Sequence, residues 1–395
     1  MAEGQTFPAG SSVLTPRERR SSLIAVIACI TVTGLSLGAT MPLLSISLAS
    51  QGVSSSLIGL NTAMPQIANL MITPFIPRLL RRYGVMKFLI TAVLISACAV
   101  PTFYLIPNLG AWFVIRFVMG FGGTGLFVVS EFWINQLATQ ENRGKLMGLY
   151  GTILSCGFAL GPFLLIFTGH KGFLPFAMIG GISLFGLVPL VLFGSGLTPK
   201  IEGRPKHSFI AILFAAPAAT LAGLVYGATE TDIFNLLPVY ALRSGHTEQM
   251  AALILSVFAA GNIFCQMPLG YIADKMNKRL LLLICASAGL AGTIAMPFAI
   301  HSVWTFVPVL FLYGGVVAGL YSVGLTYLGE RFRGADLAAA NSAFVMMYAM
   351  GALTIPPLSG IAMDWWDPHG LMLVMGAICL VYIVIAGVRA LGNRG

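Results

Sequence analysis

The sequence predicts an all-α polytopic membrane protein: twelve transmembrane helices in two pseudo-symmetric six-helix halves. Three observations carry that expectation. Charged residues make up 9% of the 395-residue chain and apolar residues 57%, with a mean hydropathy of +0.89. Soluble globular chains carry roughly 25% charged residues, so too few charges are present to cover a water-facing surface and lipid must cover it instead. Long apolar runs recur along the whole chain. The second half repeats features of the first at a nearly constant offset.

Runs of about 18 or more apolar residues read as membrane-spanning helices. Twelve are expected, at 22–48, 55–77, 88–107, 111–137, 146–168, 172–194, 208–242, 248–272, 280–301, 304–329, 337–361 and 370–391. They lack the period-2 alternation of a barrel, and only helices or closed barrels satisfy their backbone inside lipid. The first run follows Arg17, Arg19 and Arg20 but is too long for a cleaved signal peptide, so it reads as a retained helix behind a polar, disordered tail, residues 1–21. The seventh run exceeds what a bilayer needs and is expected to tilt or to lie partly in the interface.

Lys and Arg placement orients the chain. With the N-terminus inside, 19 of the 22 basic residues fall on the inner side; Lys171 and Arg243 lie outside, and Arg116 lies within a helix. Both termini are therefore expected in the cytoplasm of a plasma (inner) membrane protein, the C-terminal tail being 392–395. The net charge of +9 is a topology signal, because it is scattered over short loops rather than gathered into a nucleic-acid-binding patch. Trp112, Trp304, Trp365 and Trp366 fall at outer helix ends, where interfacial anchors belong. The six cysteines sit in apolar runs without metal-ligand spacing, and the five histidines sit in loops or at helix ends. No metal or cofactor is expected.

The polar connection 195–207 divides the chain into bundles at 22–194 and 208–391. Pro42 matches Pro238, and Asn69 matches Asn262 at an offset of 193. Arg143-Gly144 opens the fifth run as Arg333-Gly334 opens the eleventh, and Gly161 and Gly351 follow at an offset of 190. A tandem six-helix repeat is the signature of a transporter whose halves rock about a site at their interface.

The loop Gly270-Tyr-Ile-Ala-Asp274-Lys275-Met-Asn277-Lys278-Arg279 resembles the G-x-x-x-D-[RK]-x-G-[RK]-[RK] signature of the major facilitator superfamily. The first-half loop departs from it: Pro77 and Arg81 replace the first Gly and the Asp, while Arg82 and Gly84 remain. Arg116-Phe-Val-Met-Gly120 is similar to the family's R-x-x-x-G. Gly157-Phe-Ala-Leu-Gly161-Pro162 is similar to the G-x-x-x-G-P of its proton-driven antiporters, with Leu165-Ile166 in place of the trailing glycines. The resemblance covers nearly the whole chain. It implies a transporter rather than an enzyme, with the first, fourth, seventh and tenth helices lining a central cavity.

A charge at the bilayer centre costs about 2.5–3.5 kcal/mol and marks function. Arg116, Glu131, Glu230 and Asp232 are such charges, with Glu330 at a helix end. Arg116 reads as an anion clamp or the partner of a titrating carboxylate, against a structural ion pair or snorkelling. Glu230 and Asp232 stand about 200° apart around a helix, so both cannot face the cavity squarely. Glu230, on the face of Tyr226, is the expected proton carrier, since burial favours a neutral carboxyl and a nearby cation the ionised one. Asp232 shares its face with Thr229 and Asn235 and is either a second coupling group or a neutral packing group. Polar cavity candidates are Asn69, Tyr226, Asn235, Asn262 and Gln266.

Glu131 lies about 22 Å along the helix from Arg116 and is read as a gate contact for Arg143 or Arg81, or as a solvated acid. Asp274, Lys275 and Arg279, with Arg81, Arg82 and Arg333, are candidates for a conformational latch across the seam, or plain topogenic charge. Gly120, Gly157, Gly161 and Gly351 are expected at close helix crossings, and Pro162 and Pro238 at kinks. The leading expectation is proton-coupled export of small organic or amphipathic compounds by a monomer. Proton symport or uniport taking up a small metabolite, an anion where Arg116 is its clamp, is the alternative, and a non-transporting membrane sensor a remote one.

Overall fold

The structure, a computed structural model, describes residues 16–137, 143–193, 216–332 and 334–392. The expected linker 195–207, most of the N-terminal tail, residues 393–395 and Arg333 lie outside the described residues, as do the side chains of Arg143 and Asp274.

Every described element is helical. Helix α1 spans Pro16–Ser50. Helix α2 is interrupted: Ser55–Ile72, a 3-10 turn Thr73–Phe75, then Ile76–Tyr83. Then come α3 (Val85–Leu105), α4 (Leu109–Leu137) and α5 (Arg143–Thr168). Helix α6 has two segments, Leu174–Phe185 and Leu187–Phe193. Helix α7 also has two, Pro217–Asn235 and Leu237–Arg243. The chain closes with α8 (Glu248–Lys275), α9 (Lys278–Ala299), α10 (Val303–Arg331), α11 (Gly334–Trp365) and α12 (Gly370–Gly392). Among the described residues ten helices are long and apolar enough to cross a membrane unaided. The remaining two expected spans are the interrupted α2 and α7, whose polar residues dilute their apolar length.

Two boundaries differ from the sequence reading. Helix α1 begins at Pro16 rather than near residue 22, so Arg19 belongs to the helix rather than to a tail. The reason is a contact: Arg19 Nε and Nη2 both donate to Leu137 O, at 3.0 and 2.6 Å, satisfying a carbonyl at the C-terminus of α4 that the helix itself leaves unpaired. Helix α7 begins at Pro217, a favourable first-turn residue. Gly84, with φ of 80°, joins α2 to α3 in a conformation that costs any other residue strain.

Packing repeats between the halves. Helix α1 packs on α5 as α7 packs on α11; α2 on α4 as α8 on α10; and α3 on α4 and α6 as α9 on α10 and α12. Glycines set the closest crossings. A Cβ on Gly157 or Gly161 would lie 2.8 or 2.6 Å from α1 backbone nitrogens, and one on Gly120 2.7 Å from Pro65 of α2. A Cβ on Gly227 or Gly351 would overlap a backbone oxygen of α11 or α7. Small residues at such crossings let apolar helices gain dispersion contacts that lipid cannot supply. Pro162 lies within an unbroken α5, whereas Pro238 opens the second segment of α7 after the break at Leu236.

Across the halves, α2 packs on α11, α5 on α8 and α1 on α7. Among the described residues, cross-half contacts from Ser55, Ser56, Arg116, His170 and Ser256 lie toward one end of the bundle, the end bearing the α1–α2, α5–α6, α7–α8 and α11–α12 connections. Trp304, Trp365 and Trp366 are exposed near that end, Trp304 at 90%, as anchors would be, but Trp112 is not. Its indole is buried against Phe103 and donates to Phe103 O at 3.0 Å and Ile106 O at 3.1 Å, because an N–H drawn into the bundle must find an acceptor there.

Candidate functional site

Helix α7 carries its two carboxylates at the middle of the membrane span, and its turn geometry sends them apart. Glu230 is held by tyrosines of its own half. Its Oε1 accepts from Tyr226 Oη at 2.8 Å and its Oε2 from Tyr348 Oη of α11 at 2.5 Å. The network continues: Asn262 Nδ2 of α8 donates to Tyr226 Oη at 3.1 Å, and Gln266 Nε2 donates to Asn262 Oδ1 at 3.0 Å. Tyr321 of α10 completes a ring cluster, 5.3 Å from Tyr226 and 6.3 Å from Tyr348 between centroids. Its hydroxyl lies within electrostatic range of both Glu230 and Glu131, the latter contributed by α4 of the other half. An acid from each half therefore acts electrostatically on Tyr321.

Arg116 occupies a different position. Only 2% exposed, it donates from Nη1 to Asn61 Oδ1 of α2 at 2.9 Å and from Nη2 to Asn235 Oδ1 of α7. Asn235 is itself held by Nδ2 donating to Thr231 O at 2.9 Å. The guanidinium thus clasps the two halves through neutral amides. It does not meet either α7 carboxylate in a hydrogen bond.

The clasp belongs to a closed end. Asp364 of α11 accepts from the backbone N–H of Ser55 and Ser56, both at 2.8 Å, capping α2 of the opposite half where its unpaired N–H groups favour an anion. Arg243 pairs with Asp364 at 3.4 Å and Asp367 at 2.9 Å. His170 Nδ1 meets Glu248 Oε2 at 2.6 Å, and Ser256 Oγ donates to Ala159 O at 2.7 Å, both across the seam.

Other predicted residues go elsewhere. Asp232 is buried in the core of the second half, Oδ2 accepting from Ser359 Oγ at 2.6 Å. Asn69 stays within α2, its Oδ1 accepting from Thr73 Oγ1 at 2.9 Å. Lys275 and Arg279 bond to tyrosines of their own half: Lys275 to Tyr271, whose ring it also covers, and Arg279 Nε to Tyr327 Oη at 2.6 Å. These two basic residues make their hydrogen bonds inside the second half rather than across the seam, Lys275 one turn back along α8 and Arg279 to the adjacent α10. Arg81 and Arg82 are exposed, Arg82 lying over the Tyr83 ring.

Sequence reasoning missed Asn61, Tyr321, Tyr348, Ser359 and Asp364. Asn61 carried a readable signal, a side-chain amide inside an apolar run. The tyrosines did not, since a tyrosine in such a run is as often a packing residue.

The fold and site define a polytopic helical membrane protein with a polar, acid-bearing seam between two repeated bundles. The chain belongs to the Major Facilitator Superfamily, which it matches over residues 26–247 and again over 215–393; it is a secondary transporter of that family and not an enzyme. YfkF, an uncharacterized MFS-type transporter of Bacillus subtilis, is 28% identical over 364 residues, covering 89% of this chain and 91% of that one. YcaD, an uncharacterized MFS-type transporter of Escherichia coli, is 26% identical over 346 residues, covering 86% and 88%. Among solved structures, a variant of the nucleoside transporter NupG superposes with a TM-score of 0.79 at 11% identity, over 93% of this chain and 99% of that one. A bacterial homolog of the human lysosomal transporter Spinster, inward-facing and occupied, gives 0.77 at 15% identity, over 96% and 98%.

Proposed function

We propose that this chain is a monomeric, proton-coupled exporter of small organic, amphipathic and preferentially cationic compounds in the bacterial plasma membrane, working by alternating access. The carrying observation is the Glu230 network: one intramembrane carboxylate held by Tyr226 and Tyr348, with Glu131 of the other half within electrostatic range of the neighbouring Tyr321. Aromatic faces and carboxylates together attract organic cations, and a carboxylate that binds either a proton or a cation exchanges one for the other. The positive-inside bias puts both termini in the cytoplasm and makes the sealed end the outer one, so this state is the inward-open one. The likeness to an inward-facing transporter structure supports that reading.

Uptake of an anionic metabolite is the weaker reading. It needs a reachable cation, and Arg116 is 2% exposed and committed to two amides at the sealed end. The test is proteoliposomes with a trapped pH dye. Tetraphenylphosphonium, an organic anion and a neutral sugar are each added under an imposed proton gradient. The expected result is proton release coupled to the cation alone and lost in Glu230→Gln at unchanged reconstitution. Proton movement of the opposite sign with the anion would establish symport instead, and unaltered coupling in Glu230→Gln would remove the carboxylate from its role.

A further inference from the structure

His170 sits in the α5–α6 connection of the first half, at the sealed end, and its ring reaches across the seam to α8. Nδ1 lies 2.6 Å from Glu248 Oε2. His170 is 5% exposed, whereas the Glu248 side chain is 43% exposed. A carboxylate oxygen only accepts, so Nδ1 carries a hydrogen and donates it. The neutral ring then keeps its lone pair at Nε2, which is buried without a hydrogen-bond partner. A proton arriving at His170 must go to Nε2, where it makes a buried N–H with no acceptor, a costly arrangement.

The charges around the ring act in both directions. Burial disfavours an imidazolium and holds His170 below the ordinary histidine range; Glu248 works against that shift and Lys171 with it. Burial wins because Glu248 meets only Nδ1 and shares its charge with water, which weakens its pull. Arg243 lines one groove with Glu248 and with Ser50 and Val53 of the first half, and is itself paired with Asp364 and Asp367. His246 and His369, at the same end, make their hydrogen bonds inside the second half. When the halves part there, His170 gains water and protonates at the ordinary value of about 6.5. The parted state then takes up the proton more readily than the sealed one. The sealed state keeps its full advantage above about pH 6.5 and loses it as the pH falls below that.

We propose that His170 is a pH-operated latch of the sealed end: neutral, it joins the halves through Glu248; protonated at Nε2, it lets them part, so that acid on that side opens the protein there. The latch is separate from the Glu230 network and does not depend on the cargo or direction proposed above.

The experiment measures distances between nitroxide labels by pulsed electron resonance on the purified full-length protein in detergent. The labels are placed at Gln51→Cys and Gln249→Cys, exposed positions on either side of the seam. The background is cysteine-free and carries Glu230→Gln, so that titration of that carboxylate cannot supply the response. Between about pH 8 and about pH 5.5 the long-distance population is expected to rise by up to about tenfold, the limit for a histidine that protonates freely only in the parted state. His170→Asn, which keeps a donor near the Nδ1 position but does not titrate, is expected to abolish the rise. Glu248→Gln keeps an acceptor for Nδ1 and removes the charge that favours the imidazolium, so the rise is expected to steepen; this variant carries the test should His170→Asn fail to fold. Identical distances at the two pH values would overturn the proposal, as would a rise that survives in His170→Asn or is unaltered in Glu248→Gln. A fall in the long-distance population with acid would mean that the ion pair outweighs the burial of Nε2, and would overturn it as well. No substrate or gradient is present, so the outcome is independent of the transport assay.

Discussion

A guanidinium withdrawn from water keeps its charge only where acceptors surround it. Arg116 has two, Asn61 Oδ1 and Asn235 Oδ1, one in each half. Removing an acceptor while leaving the charge is therefore worse than removing the charge. Asn235→Leu is expected to cost about 3 kcal/mol, and Arg116→Met less, because it leaves two neutral amides rather than a stranded cation. Unfolding midpoints of the two purified variants test the order; a reversed order would mean that Arg116 meets an acid not bonded to it in this state. At Glu230 the two tyrosines play unequal parts. Tyr348→Phe removes the donor from α11 and is expected to slow proton-coupled transport by about tenfold, each hydrogen bond to a charged group being worth about 1.5–3 kcal/mol. Transport rates in proteoliposomes at matched protein density provide the check.

At the scale of elements, the crossing of α7 and α11 fixes where those tyrosines stand. A Cβ on Gly227 would overlap Tyr348 O, the backbone of the residue that bonds Glu230. Gly227→Ala must push the helices apart, with an overpacking cost of about 1–3 kcal/mol, and with them Tyr348 from Glu230. A methyl group on Gly123 would have nothing within 4 Å, and Gly123→Ala is expected to stay within about 0.5 kcal/mol of the parent. A comparison of unfolding midpoints and coupled transport for the two alanine variants separates crowding from helix propensity. A neutral Gly227→Ala would show that the crossing has slack.

For the whole molecule, the balance between states rests on the sealed end. Asp364 ties α2 of one half to Arg243 of the other through Ser55 and Ser56. Asp364→Ala leaves the α2 N-terminus uncapped and is expected to populate the state open at that end. In a cysteine-free background with Ser256→Cys at the seam, maleimide labelling should quicken by about 5- to 30-fold, the population change that one to two kcal/mol brings. Unchanged labelling would mean that the α5–α8 and Arg116 contacts suffice to hold the end shut.

The apolar runs, their number and the repeat between halves were legible in the chain because hydropathy and periodicity are local quantities. So was the divergence of Glu230 and Asp232, since helix geometry alone separates them. The partners were not legible. Nothing near Arg116 in sequence indicates Asn61 or Asn235, 55 and 119 positions away. Nothing near Glu230 marks Tyr348, 118 positions on. Trp112 read as an interfacial anchor until the fold buried it against Phe103. The amino-acid order by itself determined which segments enter the membrane and which charges are costly there, because transfer from water to lipid depends on each segment alone. Only the tertiary structure decided which of those charges meet amides, tyrosines or one another, because a hydrogen bond depends on distance in space and not along the chain.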